Sequence, residues 1–261
     1  MLRSIRLRIE FIVQRKQKIS VAITSTQSGD GKTFVSTNLA ALYAMSGRPT
    51  ILLDMDIRKP NVHEKLGMTA NLGITNYLIG ECTLEDIMLR NETIGFDVLP
   101  AGTIPPNPGE LIRSDKVTEL LNILRERYDY IVIDSSPVGL VPDALALIEQ
   151  TDITLFIIRC METDKRFAQQ TLQNLSLNHK DKINLVLSDI VAEKSSGSYG
   201  YGYGYGYGYG YGYGYGYGGS SSNKRYGKYG KYGKYAGYYR NKLSGKKVDE
   251  PHQYIDDSDE D

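Results

Sequence analysis

Lys32 follows Thr26-Gln27-Ser28-Gly29-Asp30-Gly31 and precedes Thr33 and Phe34. An ammonium behind two glycines, with a hydroxyl next to it, suits the handling of oxyanions. The glycines allow a backbone turn that aims N–H groups at phosphate oxygens. A helix starting there would present its positive end to the same anion. The spacing is that of a phosphate-binding loop with Thr26 in the place of the first glycine. On that reading Lys32 reaches the β- and γ-phosphates and the Thr33 hydroxyl holds Mg²⁺. Ser28, Gly29, Asp30, Gly31, Lys32, Thr33 and Phe34 are the candidate nucleotide-binding stretch. The competing reading is an ordinary glycine-rich turn. The apolar run before it and the helical pattern after it favour the phosphate loop, which by itself names no reaction.

Two further stretches carry acids at the ends of apolar runs, Ile51-Leu52-Leu53-Asp54-Met55-Asp56 and Ile131-Val132-Ile133-Asp134-Ser135-Ser136-Pro137. Mg²⁺ keeps several waters, so one or two carboxylates, a hydroxyl and phosphate oxygens suffice for it. Thr33, Asp56 and Asp134 are the candidate Mg²⁺ side. Asp54 is the candidate for taking a proton from an attacking hydroxyl, and the residues alone do not divide the roles of Asp54 and Asp56. The other reading is that these acids cap helices or turns. Arg58 fits phosphate binding and an ion pair equally well.

The elements that must position these groups alternate. Short apolar runs at 19–23, 50–53, 96–100, 128–133, 153–158 and 183–187 read as strands. Helical patterns run from the loop to Ala44 and over 62–66, 75–78, 83–89, 114–127, 142–150 and 164–177. Apolar strands alternating with helices imply an α/β fold, a mostly parallel sheet with helices on both faces. In such sheets ligands bind at the carboxyl ends of strands, and Lys32, Asp54 and Asp134 all fall at or just beyond such an end. Leu2, Ile5, Ile9 and Val13 share one face of an N-terminal helix within residues 1–16. Arg at four of the first sixteen positions, with Glu10, interrupts any signal-peptide core. No apolar run approaches the roughly 18 residues of a membrane-spanning helix. Two cysteines, Cys82 and Cys160, without metal spacing, fit a reducing compartment.

Residues 1–194 are expected to fold and 195–261 to form a disordered tail, because the tail has too few aliphatic residues to offset the entropy of ordering it. The tail holds 17 of the 21 tyrosines. Tyr199, Tyr201, Tyr203, Tyr205, Tyr207, Tyr209, Tyr211, Tyr213, Tyr215 and Tyr217 alternate with glycine. Tyr226, Tyr229 and Tyr232 repeat as Tyr-Gly-Lys, and Tyr235, Tyr238, Tyr239 and Tyr254 follow. Tyr43, Tyr77, Tyr128 and Tyr130 lie in patterned regions and read as packing residues. The net charge of zero conceals nine cations over 195–248 followed by seven acids over 249–261. The basic part could meet phosphate, an anionic membrane face or nucleic acid, or stay solvated.

Taken together the motifs resemble those of the bacterial tyrosine autokinases of capsule and exopolysaccharide synthesis. Gly29-Asp30-Gly31-Lys32-Thr33 is similar to that family's Walker A, Leu53-Asp54-Met55-Asp56-Ile57-Arg58-Lys59-Pro60 to its second aspartate motif, and Ile133-Asp134-Ser135-Ser136-Pro137 to its Walker B. Pro105-Pro106-Asn107-Pro108-Gly109-Glu110-Leu111 is similar to its Pro-Asn-Pro-x-Glu-Leu stretch, and the tyrosine-rich end to its autophosphorylation cluster. The resemblance implies ATP and Mg²⁺ as cofactors and the tail tyrosines as phosphoacceptors, reached between subunits of a homo-oligomeric ring. Arg3 and Arg6 are similar to the two arginines of the family's ring-forming Glu-x-x-Arg-x-x-Arg helix, whose glutamate would fall ahead of Met1. The resemblance also implies a separate membrane-embedded activator, a place at the inner face of the plasma membrane through that partner, and no nucleic acid.

A glycine at every second position frees each phenol to enter a phosphate pocket, and 20–60 such residues have a root-mean-square reach of roughly 25–45 Å. Each phosphate adds about −1.5 to −2 charges, so about five would cancel the tail's cations. Two other readings compete. A positioning ATPase, similar to those that partition plasmids or place the division septum, shares the loop and the paired aspartates but needs no tyrosine cluster. A Tyr/Gly-rich self-association protein would keep the nucleotide site only for regulation, which the intact Lys32, Thr33 and Asp134 argue against.

Overall fold

The computed structural model describes residues 2–14 and 16–190. Seven strands form one sheet in the order β3-β4-β2-β5-β1-β6-β7. They are β1 (Ile19–Ser25), β2 (Thr50–Met55), β3 (Leu89–Asn91), β4 (Phe96–Leu99), β5 (Tyr130–Ser135), β6 (Ile153–Arg159) and β7 (Ile183–Ser188). All neighbours pair in parallel except β3 with β4. The three central strands β2, β5 and β1 are buried along their whole length, which is why they read as unbroken apolar runs rather than alternating ones.

Each central strand divides its side chains between two layers. Leu52 and Val132 join Val21 and Ile23 in a core shared with α1 (Leu2–Ile12) and α2 (Lys32–Ala44). Ile51, Leu53, Met55, Ile131 and Ile133 point the other way. There they meet α4 (Ile74–Ile79), α5 (Leu84–Ile87), α6 (Pro108–Ile112), α7 (Asp115–Arg127) and α8 (Asp143–Gln150). A smaller cluster puts Phe156 against α8 and α9 (Lys165–His179). The short α3 (Val62–Lys65) follows β2. The N-terminal helix buries Ile9 and Val13 and packs Leu2 and Ile5 against the core, as the spacing predicts.

Three expectations need correction. Asp54 and Asp134 lie inside β2 and β5, not beyond them, because a strand paired on both sides keeps its hydrogen bonds through the acid. Leu89, expected to end the helix over 83–89, instead opens the antiparallel edge strand β3. The helical patterns omit 108–112, which is a turn of helix started by Pro108 at its first helical position. The expected domain end at 194 and every tail tyrosine lie outside the described residues.

Of the four tyrosines expected to pack, Tyr43, Tyr128 and Tyr130 are buried and Tyr77 is half-buried. Tyr43 and Tyr130 stack with centroids 3.7 Å apart, capped by the Arg48 guanidinium 5.3 Å from the Tyr130 ring. The Tyr43 hydroxyl is buried without a hydrogen-bond partner, which is costly. Tyr43→Phe keeps the stack and removes that cost. It is expected to leave the fold as stable or raise it by up to about 1 kcal/mol, read from urea unfolding midpoints.

Candidate active site

The phosphate loop joins β1 to α2, and its shape depends on two backbone angles. Gly29 and Gly31 have φ of 91° and 97°. A Cβ at either would meet nothing within 4 Å, so glycine is required for conformation and not for room. Gly31 stands at the helix N-cap, and Lys32 and Thr33 open α2 with side chains almost wholly buried. Gly139 is required for the opposite reason: a Cβ there would lie 2.3 Å from the Thr26 carbonyl oxygen, because the loop after β5 runs directly against the phosphate loop.

Beneath the start of α2, the parallel register places Asp54 of β2 opposite Asp134 of β5, and Asp134 opposite Ile23 of β1. Asp54 and Asp134 continue the face that carries Leu52 and Val132, so both belong to the layer covered by α2. They are 0% and 1% exposed. Oδ2 of Asp54 accepts the backbone N–H groups of Asn61 and Val62 at 3.1 and 3.0 Å, anchoring the start of α3. Oδ1 of Asp54 and Oδ1 of Asp134 are buried without a partner.

Burial and the charge of Asp134 push the Asp54 carboxyl up to about 7, against the pull of the two amides. Burial likewise lifts Asp134 to about 6, while the Thr33 hydroxyl and the Lys32 ammonium draw it back down. Lys32 is lowered by burial, opposed by the attraction of Asp134, Asp56 and Asp30. Lys65, one turn along α3, also influences both Lys32 and Asp134. The sequence reading did not single out Lys65, since no motif marks it.

Asp56 lies just past β2 and is half-buried. Its Oδ1 accepts the Ser136 hydroxyl at 2.7 Å and the Lys59 N–H at 3.3 Å. The structure therefore brings Lys32, Thr33, Asp54, Asp56 and Asp134 to one sheet edge. Arg58, for which two uses were equal, makes an ion pair: its Nε is 2.6 Å from Oδ2 of Asp143, a carboxylate with a 2% exposed side chain. Gly109 of the Pro-Asn-Pro-Gly-Glu-Leu stretch lies so near the same carboxylate that a Cβ added there would be 2.9 Å from Oδ1 of Asp143. Ser28 and Phe34 are exposed beside the loop. The Asp30 side chain is turned away into the protein, leaving only its backbone for a ligand. On α1, Arg3 is exposed, whereas Arg6 is engaged within the chain with the Leu42 carbonyl at 3.1 Å and Glu10 at 3.3 Å.

The oxygen donors fit Mg²⁺. Two orphaned buried carboxylate oxygens, a third carboxylate and a hydroxyl lie at the same sheet edge as a lysine at a helix start. Among the described residues no three or more of His, Cys, Asp and Glu gather as a metal-holding group, so a hydroxyl and ligand oxygens would have to complete the set.

A family model described as an AAA domain matches residues 17–188. The putative tyrosine-protein kinase CapB of Staphylococcus aureus is 34% identical over 197 residues, covering 76% of this chain and 86% of that protein. The chain belongs to the bacterial tyrosine-kinase family. The kinase domain of the Escherichia coli tyrosine kinase ETK superposes with a TM-score of 0.69 at 28% identity, over 77% of this kinase and 79% of that chain. The same fold extends to a cobyrinic acid a,c-diamide synthase from Mycobacterium smegmatis solved with an ATP analogue and magnesium. It has a TM-score of 0.54 at 18% identity, over 64% of this kinase and 70% of that chain.

The paired acids give the kinase a signed pH dependence. Between the ordinary aspartate value of 3.8 and about 7, folded Asp54 still holds a proton that the unfolded chain has released. The stability from this group is therefore lost as pH rises through that window. Without metal, the melting temperature is expected to be higher at about pH 5.5 than at about pH 8, by on the order of 5 °C. Asp54→Asn is expected to shrink that difference, and calorimetry at the two pH values checks it.

Proposed function

We propose that this kinase transfers the γ-phosphoryl group of ATP to tyrosines of its own C-terminal cluster, Tyr199 to Tyr254, reached between subunits of a homo-oligomeric ring. The observation that supports this reading most is the convergence of Lys32 and Thr33 with Asp54, Asp56 and Asp134 at one sheet edge, in a chain with 17 tyrosines beyond residue 194. Water would serve an ATPase as acceptor. The tail gives this chain a dense supply of phenols.

In the proposed reaction the loop amides and Lys32 bind the β- and γ-phosphates. Thr33, Asp56 and Asp134 would hold Mg²⁺, which when bound neutralises phosphate charge. Asp54 takes the phenol proton, with a pKa near 7 suited to a general base. The phenolate oxygen bonds to the γ-phosphorus as the bond to the β,γ-bridging oxygen breaks, giving phosphotyrosine and ADP. Burial excludes water from the carboxylate pair, which strengthens each of these interactions.

The wider setting follows the family resemblance: regulation of capsule or exopolysaccharide synthesis, with a separate membrane-embedded activator holding the kinase at the inner face of the plasma membrane. Among the described residues no helix is long and apolar enough to cross a membrane. Accumulated phosphate would turn the tail from basic to strongly acidic and loosen its contact with the acid-lined sites of neighbours.

Intact mass after incubation with ATP and Mg²⁺, with an activator's cytoplasmic segment present, tests the reaction. The expected result is a ladder of phosphate additions mapping to Tyr199–Tyr254 that Lys32→Met abolishes. ATP hydrolysis without added mass would overturn it. Asp54→Asn is expected to slow the ladder by roughly 10²-fold or more, read from the initial rate at saturating ATP.

A further inference from the structure

Asp30 poses an electrostatic problem. A carboxylate inside a loop that receives a polyanion repels its ligand unless it is held away. Here it is held away, 0% exposed, with both oxygens engaged. Oδ2 accepts the Gln27 N–H at 3.0 Å within the loop, and Oδ1 accepts the Thr163 hydroxyl at 2.7 Å from the turn between β6 and α9. The Thr163 oxygen accepts the Arg159 N–H at 2.8 Å, which orients the hydroxyl so that its one proton goes to Asp30.

Two further contacts run between the same partners. The Gln27 side-chain amide donates to the Glu162 carbonyl at 3.2 Å, and the Arg159 guanidinium to the Gly29 carbonyl at 3.4 Å. The turn itself is tight: the Glu162 and Thr163 N–H groups return to the Arg159 carbonyl at 3.2 and 2.9 Å, and Met161 adopts φ 68°. The β6–α9 turn is thus a clasp on the phosphate loop, hydrogen-bonded to it through residues 27, 29 and 30.

We propose that Thr163 is a positioning residue for nucleotide binding, whose hydroxyl keeps the Asp30 carboxylate out of the phosphate space. The inference rests on the reading of residues 26–33 as the triphosphate loop. Removing the hydroxyl leaves a buried carboxylate oxygen without its donor. The side chain then escapes toward solvent and the anion site, where its charge opposes phosphate. The penalty grows with ligand charge, so ATP loses more than ADP. A merely structural loosening of the loop weakens both alike.

The test is calorimetric titration of the full chain with ATP and ADP, with folding followed by circular dichroism. Thr163→Val is expected to weaken ATP binding about tenfold or more and ADP binding less, while Thr163→Ser retains affinity. Adding Asp30→Asn to the valine variant is expected to restore much of the loss for ATP. Thr163→Ala serves in the same comparisons if the valine variant does not fold. Unchanged ATP affinity, or equal losses for ATP and ADP that Asp30→Asn does not reverse, would overturn the clasp. Lys32→Met separates the two levels: if it binds ATP as tightly as the parent, the phosphate-loop reading fails instead.

Discussion

Two buried carboxylates side by side at the carboxyl ends of neighbouring central strands are the constraint around which this protein is organised. Register alone puts Asp54 opposite Asp134, and neither reaches solvent. Like charges so placed oppose each other's ionisation, and desolvation adds to the opposition. The surroundings answer with donors. Two amides at the start of α3 hold one oxygen of Asp54, and Lys32 and Thr33 at the start of α2 draw Asp134 toward its ionised form. What remains, one unpartnered oxygen on each acid, is a demand for positive charge.

The same logic explains the periphery of the site. Each loop at this sheet edge is tied to another loop by a polar contact across the fold. Ser136 after β5 fixes Asp56 after β2. Asp143 at the head of α8 fixes Arg58, and the tight approach of Gly109 brings the Pro-Asn-Pro-Gly-Glu-Leu segment against that pair. Thr163 after β6 fixes Asp30. A site built on loops gains precision from such cross-braces, because each loop alone has few apolar contacts to hold it.

Much of this was legible beforehand, for identifiable reasons. The strands are buried on both faces, so they read as apolar runs. The phosphate loop carries glycines whose conformation few other residues adopt. The acids stand at the ends of those runs, where parallel sheets place ligands. The edge strand β3 was not legible, because three residues, the half-buried Leu89, the exposed Arg90 and the buried Asn91, are too few to show a periodicity of their own and become a strand only by pairing with β4. The role of Asp143 was hidden for a similar reason. An acid at the start of a helix reads as a dipole partner, and its actual partner lies 85 residues away.

By itself the sequence determined the class of fold, the phosphate loop with its lysine, the acids and the tyrosine-rich tail, since each rests on local patterning or on side-chain chemistry within a short span. Only the tertiary structure decided which acids face each other, which oxygen of each is free, that Arg58 is spent on Asp143 and that Asp30 is turned away by Thr163. Those are facts of register and of contacts between distant loops. No local propensity encodes them, because the energy that selects them comes from the packed core that brings the loops together.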